Sequence, residues 1–137
     1  MAGDGNNQGR FVRREQAMHW EGLRFSTASE LAIARALDAA GVVFFPLAVY
    51  RITERDGTRV TRECDFLVIY NGVTGILELD GWPHDGRAAD DHRRDRLLKF
   101  HAGVWVIERV ASYEALKNPE RIVCGLLAQM ERFRLCA

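Results

Sequence analysis

The chain has 137 residues with 12 Gly and only 3 Pro, one domain's worth of polypeptide, long enough to bury roughly two-thirds of its surface without disulfides or a structural metal. An apolar share of 47% and a charged share of 28% exclude disorder, collagen-like repeats and low complexity. Nineteen basic residues balance nineteen acidic ones, which argues against a passive nucleic-acid coat but leaves room for an enzyme that holds cations in an acidic pocket beside basic flanks.

In chain order, residues 1–10 read as a disordered tail and residues 11–137 as a single domain. Val12 to Phe25 reads as a short helix or an arm. Thr27-Ala-Ser-Glu30 is a capping-box pattern that opens a helix, with Leu31, Ala34 and Leu37 at helical spacing and Gly41 as the stop. Val42 to Glu54 is rich in β-branched and aromatic residues and reads as a strand. Asp56-Gly57 marks a hairpin, Arg59 to Tyr70 returns as a second strand, and Asn71-Gly72 turns into a third at Ile76 to Asp80. After a loop over Gly81 to Arg87, Ala89 to Ala102 reads as a charged helix stopped by Gly103. Val104 to Val110 is then a fourth strand, reached by a helical crossover and so parallel to the third. Ser112 caps one short helix. Pro119 opens another, with Ile122, Leu126 and Met130 on one face.

The expectation is an α/β domain with one mixed sheet, an antiparallel three-strand meander plus a parallel fourth strand, flanked by helices. No apolar run approaches the ~18 residues of a membrane span, and Met1–Arg10 is too polar for a signal peptide, so the expected location is cytoplasmic. Cys64, Cys124 and Cys136 show no zinc-ligand spacing and read as free thiols of a reducing compartment.

The chemistry concentrates on the second hairpin. Strand alternation puts Glu63 and Asp65 on one face of the second strand, and Glu78 and Asp80 on one face of the third. A two-residue turn sets Asp65 opposite Glu78. A four-residue turn sets Asp65 opposite Asp80. Either way the four acids share a face. Like charges directly opposed, roughly 5 Å apart, are destabilising. A divalent cation is the natural compensation, and Mg²⁺ commonly takes one or two carboxylates while keeping several waters. The competing reading is a solvated acidic face, which the apolar character of "CDFLVIY" and "GILELDG" disfavours.

Asp65 followed by Glu78-Leu79-Asp80 resembles the acidic signature of the PD-(D/E)xK nuclease superfamily. The longer run "ECDFLVI", "ELDG", His84, "DHRRDRLL" and "GVWVIER" is similar to its very-short-patch-repair-like branch of small proteins, over Thr27 to about Met130. The resemblance implies a restriction-endonuclease-like fold and a Mg²⁺- or Mn²⁺-dependent endonuclease acting on DNA. It makes Asp65 the principal metal ligand and Glu78 a second ligand or water-orienting group, with Asp80 in support. Asp80 stands where the superfamily usually has lysine, and His84 stands where this branch places a histidine that takes over part of the lysine's work. Glu30 matches a first-helix glutamate found near the metal in such proteins, and equally serves as the capping-box glutamate. From the residues alone, Asp91 and Asp95, one helical turn apart with Arg94 nearby, read either as a solvated helix face with internal ion pairs or with Asp91 facing His84. Arg94 is placed to reach the scissile phosphate or pair with an active-site acid. Arg109 lines the same cleft, and Arg87, Arg93, Arg96 and Lys99 are candidates for backbone phosphate contacts.

A rival from a different class is a nuclease-fold binding module without chemistry, such as a subunit of a larger restriction, repair or mobile-element system. A third is an acidic hairpin with no catalytic role. DNA is the expected partner, with RNA, a homodimer or a partner subunit left open.

Overall fold

The structure is a computed structural model and describes residues 17–80, 94–99 and 103–136. Of the residues singled out above, His84, Arg87, Asp91 and Arg93 lie outside the described residues, as does the tail over 1–10.

The segment read as a short helix or arm contains a hairpin instead. β1 (Met18–Trp20) and β2 (Leu23–Phe25) pair antiparallel around Glu21 and Gly22, both left-handed at φ 51° and 79°. Next comes α1 (Ala28–Ala39), whose N-cap Thr27 accepts the Glu30 N–H on its hydroxyl at 3.2 Å. Its buried stripe is Ile33, Ala34 and Leu37. Gly41, at φ 73°, lies just past the helix end.

Four strands then form the main sheet in the order β3 (Val43–Thr53), β4 (Arg59–Tyr70), β5 (Val73–Asp80), β6 (Val104–Ala111). The first three make an antiparallel meander and β6 runs parallel to β5, as the crossover predicted. Between them lies α2, described over 94–99. After β6 come α3 (Ser112–Lys117) and α4 (Pro119–Cys136). Ser112 is the first residue of α3 rather than its cap, which is Ala111.

Two details shape the second hairpin. Asn71 and Gly72 both take positive φ, 49° and 81°, the mirror-image turn whose twist suits a two-residue hairpin. β5 also begins at Val73, three residues earlier than Ile76, and so contains Gly75. A Cβ on Gly75 would lie 2.9 Å from the Met130 sulfur, so here glycine permits the close approach of α4 and does not mark a turn.

The sheet has unlike faces. On one, Phe66, Val68 and Leu77 pack with Ile33 and Leu37 of α1 and Leu126 and Met130 of α4. On the other, Ile52, Cys64, Ile76 and Val104 pack with Leu98 of α2. Even-numbered residues change face along the paired strands β3 and β4. Phe44 and Phe66 belong to the first core, whereas Ala48, Tyr50, Ile52 and Cys64 belong to the second. The reversal falls at Leu47, a buried leucine held left-handed at φ 51°, opposite Asp65. Pairing resumes with unchanged register, Pro46 with Phe66 and Ala48 with Cys64. A leucine in that region costs about 1–2 kcal/mol of backbone energy, which the surrounding core must offset. Among the described residues no helix is long and apolar enough to cross a membrane.

Candidate functional site

The two-residue turn sets the register of β4 on β5: Tyr70 with Val73, then Ile69 with Thr74, through to Phe66 with Leu77. The ladder stops there, and the next pair in register is Asp65 and Glu78. Their side chains take over the bonding. The Leu79 N–H donates to Asp65 Oδ2 at 2.7 Å, and the Asp65 N–H donates to Glu78 Oε2 at 3.3 Å. The two carboxylates therefore meet where the strands begin to part, anchored through each other's backbone.

Asp65 is only 5% exposed and the Glu78 side chain 14%. Burial, then the negative charge of Asp65, pushes the Glu78 carboxyl up to about 8, against the opposing pull of the Arg94 guanidinium. Arg94, on α2, sits 3.8 Å from Glu78 Oε1, beyond hydrogen-bond reach, so it tempers the charge without cancelling it. Tyr50 and Cys64 lie on the same sheet face. Burial drives both to about 12; the Arg94 charge opposes the rise at Tyr50, and the Glu78 and Asp65 charges add to it at Cys64.

Arg109 is the register partner of Glu78 on β6. Its guanidinium makes a forked pair with Asp95 of α2, Nη1 to Oδ2 at 2.7 Å and Nη2 to Oδ1 at 2.8 Å. This bidentate, partly buried contact fastens α2 to that face of the sheet and so presents Arg94 to Glu78.

The structure thus brings together Asp65, Glu78, Arg94 and Arg109 from four elements. Asp80 is exposed at the end of β5, beside Ala111. Glu63 is a correction to the shared-face expectation. It pairs with Val49 and alternates with Cys64, so the reversal at Leu47 and Asp65 turns it away from the face that carries Glu78.

Glu30 is 3% exposed, and its carboxylate accepts the Ser26 N–H at 3.0 Å and the Ser26 hydroxyl at 3.1 and 3.0 Å. That is a capping box displaced by one residue, since the usual target is the N–H of the cap itself. Arg96 and Lys99 are exposed on α2 and face a cleft, away from the carboxylate pair.

Sequence reasoning missed Asp95 as the Arg109 partner, and Tyr50 and Cys64 as neighbours of the carboxylates. The first lay inside the charged run "DHRRDRLL", but nothing local ties it to a strand residue 14 positions on.

Two buried, adjacent carboxyls offering only oxygen donors suit a hard divalent cation that retains several waters. Among the described residues no cluster of three or more His, Cys, Asp or Glu side chains could hold a metal, so a cation here would rest on the pair and on solvent. No protein-family model, curated protein or solved structure matches the chain.

Proposed function

We propose that the protein is a metal-dependent endonuclease that hydrolyses DNA phosphodiester bonds, with a restriction-endonuclease-like fold of the very-short-patch-repair-like type. The observation that carries this reading is the buried Asp65–Glu78 pair, held side by side at the opening of the β4–β5 ladder, where burial and the Asp65 charge push the Glu78 carboxyl up to about 8. The order helix, three-strand meander, crossover, parallel strand supports the fold assignment.

In this mechanism Asp65 and Glu78 would hold Mg²⁺ or Mn²⁺, with Asp80 at the strand end in support. When bound, such a cation polarises a phosphoryl oxygen and lowers the pKa of a bound water. Arg94 supplies the positive charge that the superfamily usually draws from the lysine replaced by Asp80, and it faces the developing charge on the phosphate. Arg109 and Asp95 hold α2 so that Arg94 stays aimed at the site. His84 accepts the proton of the attacking water.

The test is titration with Mn²⁺ by calorimetry, alongside cleavage of supercoiled plasmid and of an RNA of equal length. The wild type binds metal and cleaves DNA, and Asp65→Asn loses both. A protein that binds no metal at millimolar concentration, with or without DNA, overturns the reading. The aspartate in the lysine position favours the second reading, a nuclease-fold module that binds DNA without cutting it. That reading is supported if metal and DNA both bind and no product forms.

A further inference from the structure

We infer that the cleft between the tip of the β3–β4 hairpin and α2 is a track for the phosphate backbone of a DNA strand, an inference that rests on the reading of DNA as the substrate. The cleft has a volume of about 1150 Å³ and is walled by residues 53–58 of the hairpin on one side and Arg96, Leu97 and Lys99 of α2 on the other. Its five charged residues divide into two groups. The acids are occupied within the hairpin: Glu54 Oε1 accepts from Arg62 at 2.7 Å, and Asp56 Oδ1 accepts the Thr58 N–H at 2.9 Å. The bond from Thr58 holds the Asp56 carboxyl below its ordinary range, so it stays an acceptor committed to its own turn.

The cations are not so occupied. Arg55, Arg96 and Lys99 are all exposed, and among the described residues none takes part in an ion pair. Arg96 and Lys99 stand three residues apart on α2, hence neighbours on one helix face, while Arg55 comes from the opposite wall. Cations on both walls of one cleft repel unless an anion lies between them. Drawn from two elements around a cleft of this volume, they suit an extended polyanion better than a single phosphate. Leu97 and Val60 add apolar surface against which a sugar or base can lie. The same short helix carries Arg94 to the carboxylate pair, so the cleft and the proposed site of cleavage share α2.

The test is fluorescence anisotropy of a labelled DNA duplex with the full chain in EDTA, across a NaCl series, for wild type, Arg55→Gln/Arg96→Gln/Lys99→Gln and Asp65→Asn. Each phosphate neutralised contributes about −0.9 to the slope of log K against log salt. The triple variant should therefore lose roughly 2–3 units of slope and at least about tenfold in affinity at low salt, with an unchanged melting temperature because all three side chains are exposed. Asp65→Asn should keep the wild-type slope. A triple variant with the wild-type slope overturns the track even if plasmid cleavage is intact. A wild type that binds no DNA at low salt overturns it as well. Loss of the slope in the triple variant, in a protein that neither binds Mn²⁺ nor cleaves, supports the track and counts against the catalytic reading alone. Inorganic phosphate at millimolar concentration should compete no better than its ionic strength predicts. Specific competition would assign the cleft to a small anion and overturn the track.

Discussion

Replacing Glu78 by Gln removes one charge from the buried pair while keeping an oxygen within reach of the Asp65 N–H. The Glu78 carboxyl ordinarily titrates at 4.5 and is pushed to about 8 in the folded protein, first by burial and then by Asp65. Below 4.5 the group is protonated whether the chain is folded or not. Between 4.5 and about 8 the folded protein holds a proton that the unfolded chain has released, so stability falls as pH rises through that window. At about 1.4 kcal/mol per unit, the loss complete above pH 8 is about 3–5 kcal/mol, the lower end allowing for residual solvent at the side chain. Tyr50 and Cys64, both pushed up to about 12, keep their protons in the folded protein; what the unfolded chain releases near pH 9, chiefly from Cys64 with its ordinary value of 9.0, lowers wild type and variant alike and cancels in the comparison. Glutamine has no such titration. Urea denaturation in EDTA at pH 5 and pH 9 should show Glu78→Gln gaining about 3–5 kcal/mol on the wild type between the two, or roughly 10–20 °C in Tm. Adding Mn²⁺ at pH 9 should restore the wild type and leave the variant unmoved. Parallel pH profiles for the two proteins would refute the claim that the pair stores unbalanced charge.

Asp95→Asn or Arg109→Gln alone should cost about 1–3 kcal/mol in urea denaturation, since each strands a partly buried partner, and the double variant should cost less than the sum of the two. Glu30→Ala should lose about 1 kcal/mol of thermal stability through the Ser26 contacts, whereas Glu30→Gln, which keeps an acceptor, should lose little. His84→Ala should slow plasmid cleavage by about 10²–10⁴ with Mn²⁺ affinity unchanged, and recover partly at higher pH, where hydroxide replaces the base.

How much of this was legible in the sequence differs from element to element. Asn71-Gly72 and Gly57 announce their hairpins because only a few residue types tolerate the left-handed conformation, yet the loop at Gly57 is closed over Arg55 to Gly57 and is not the two-residue turn that Asp56-Gly57 suggests. The sequence left the Asn71 turn at two or four residues, and the two-residue form is what sets Asp65 against Glu78. Glu21-Gly22 makes a similar turn, yet a glutamate in the first position carries little of that signal, so the β1–β2 hairpin was not anticipated. The third strand was read as starting at Ile76, three residues late, because nothing in the sequence shows that Gly75 is a strand position kept small for Met130. Leu47 was illegible. Nothing in "FFPLAV" marks a left-handed leucine, because the conformation is imposed by packing on both sides of the sheet. That one residue is why Glu63 leaves the face carrying Glu78. The Arg109–Asp95 fork was invisible for a related reason: it joins a strand to a helix, and no periodicity within either element predicts it.

Leu47 and its neighbour Pro46 have a second effect, on how one copy of the protein behaves toward another. β3 is an outer strand of the sheet and 11 residues long, with Val43, Phe45 and Val49 exposed along it. Left straight, such a strand would be a template for pairing with a neighbouring chain and a route to aggregation. Pro46 has no N–H to offer a newcomer, and the turn of the backbone at Leu47 swings the two halves of the strand out of a common plane. A foreign strand laid along β3 finds its hydrogen bonds interrupted after a few residues. The kink that turns Glu63 away from the face carrying Glu78 thus also keeps an apolar edge from nucleating β-assembly.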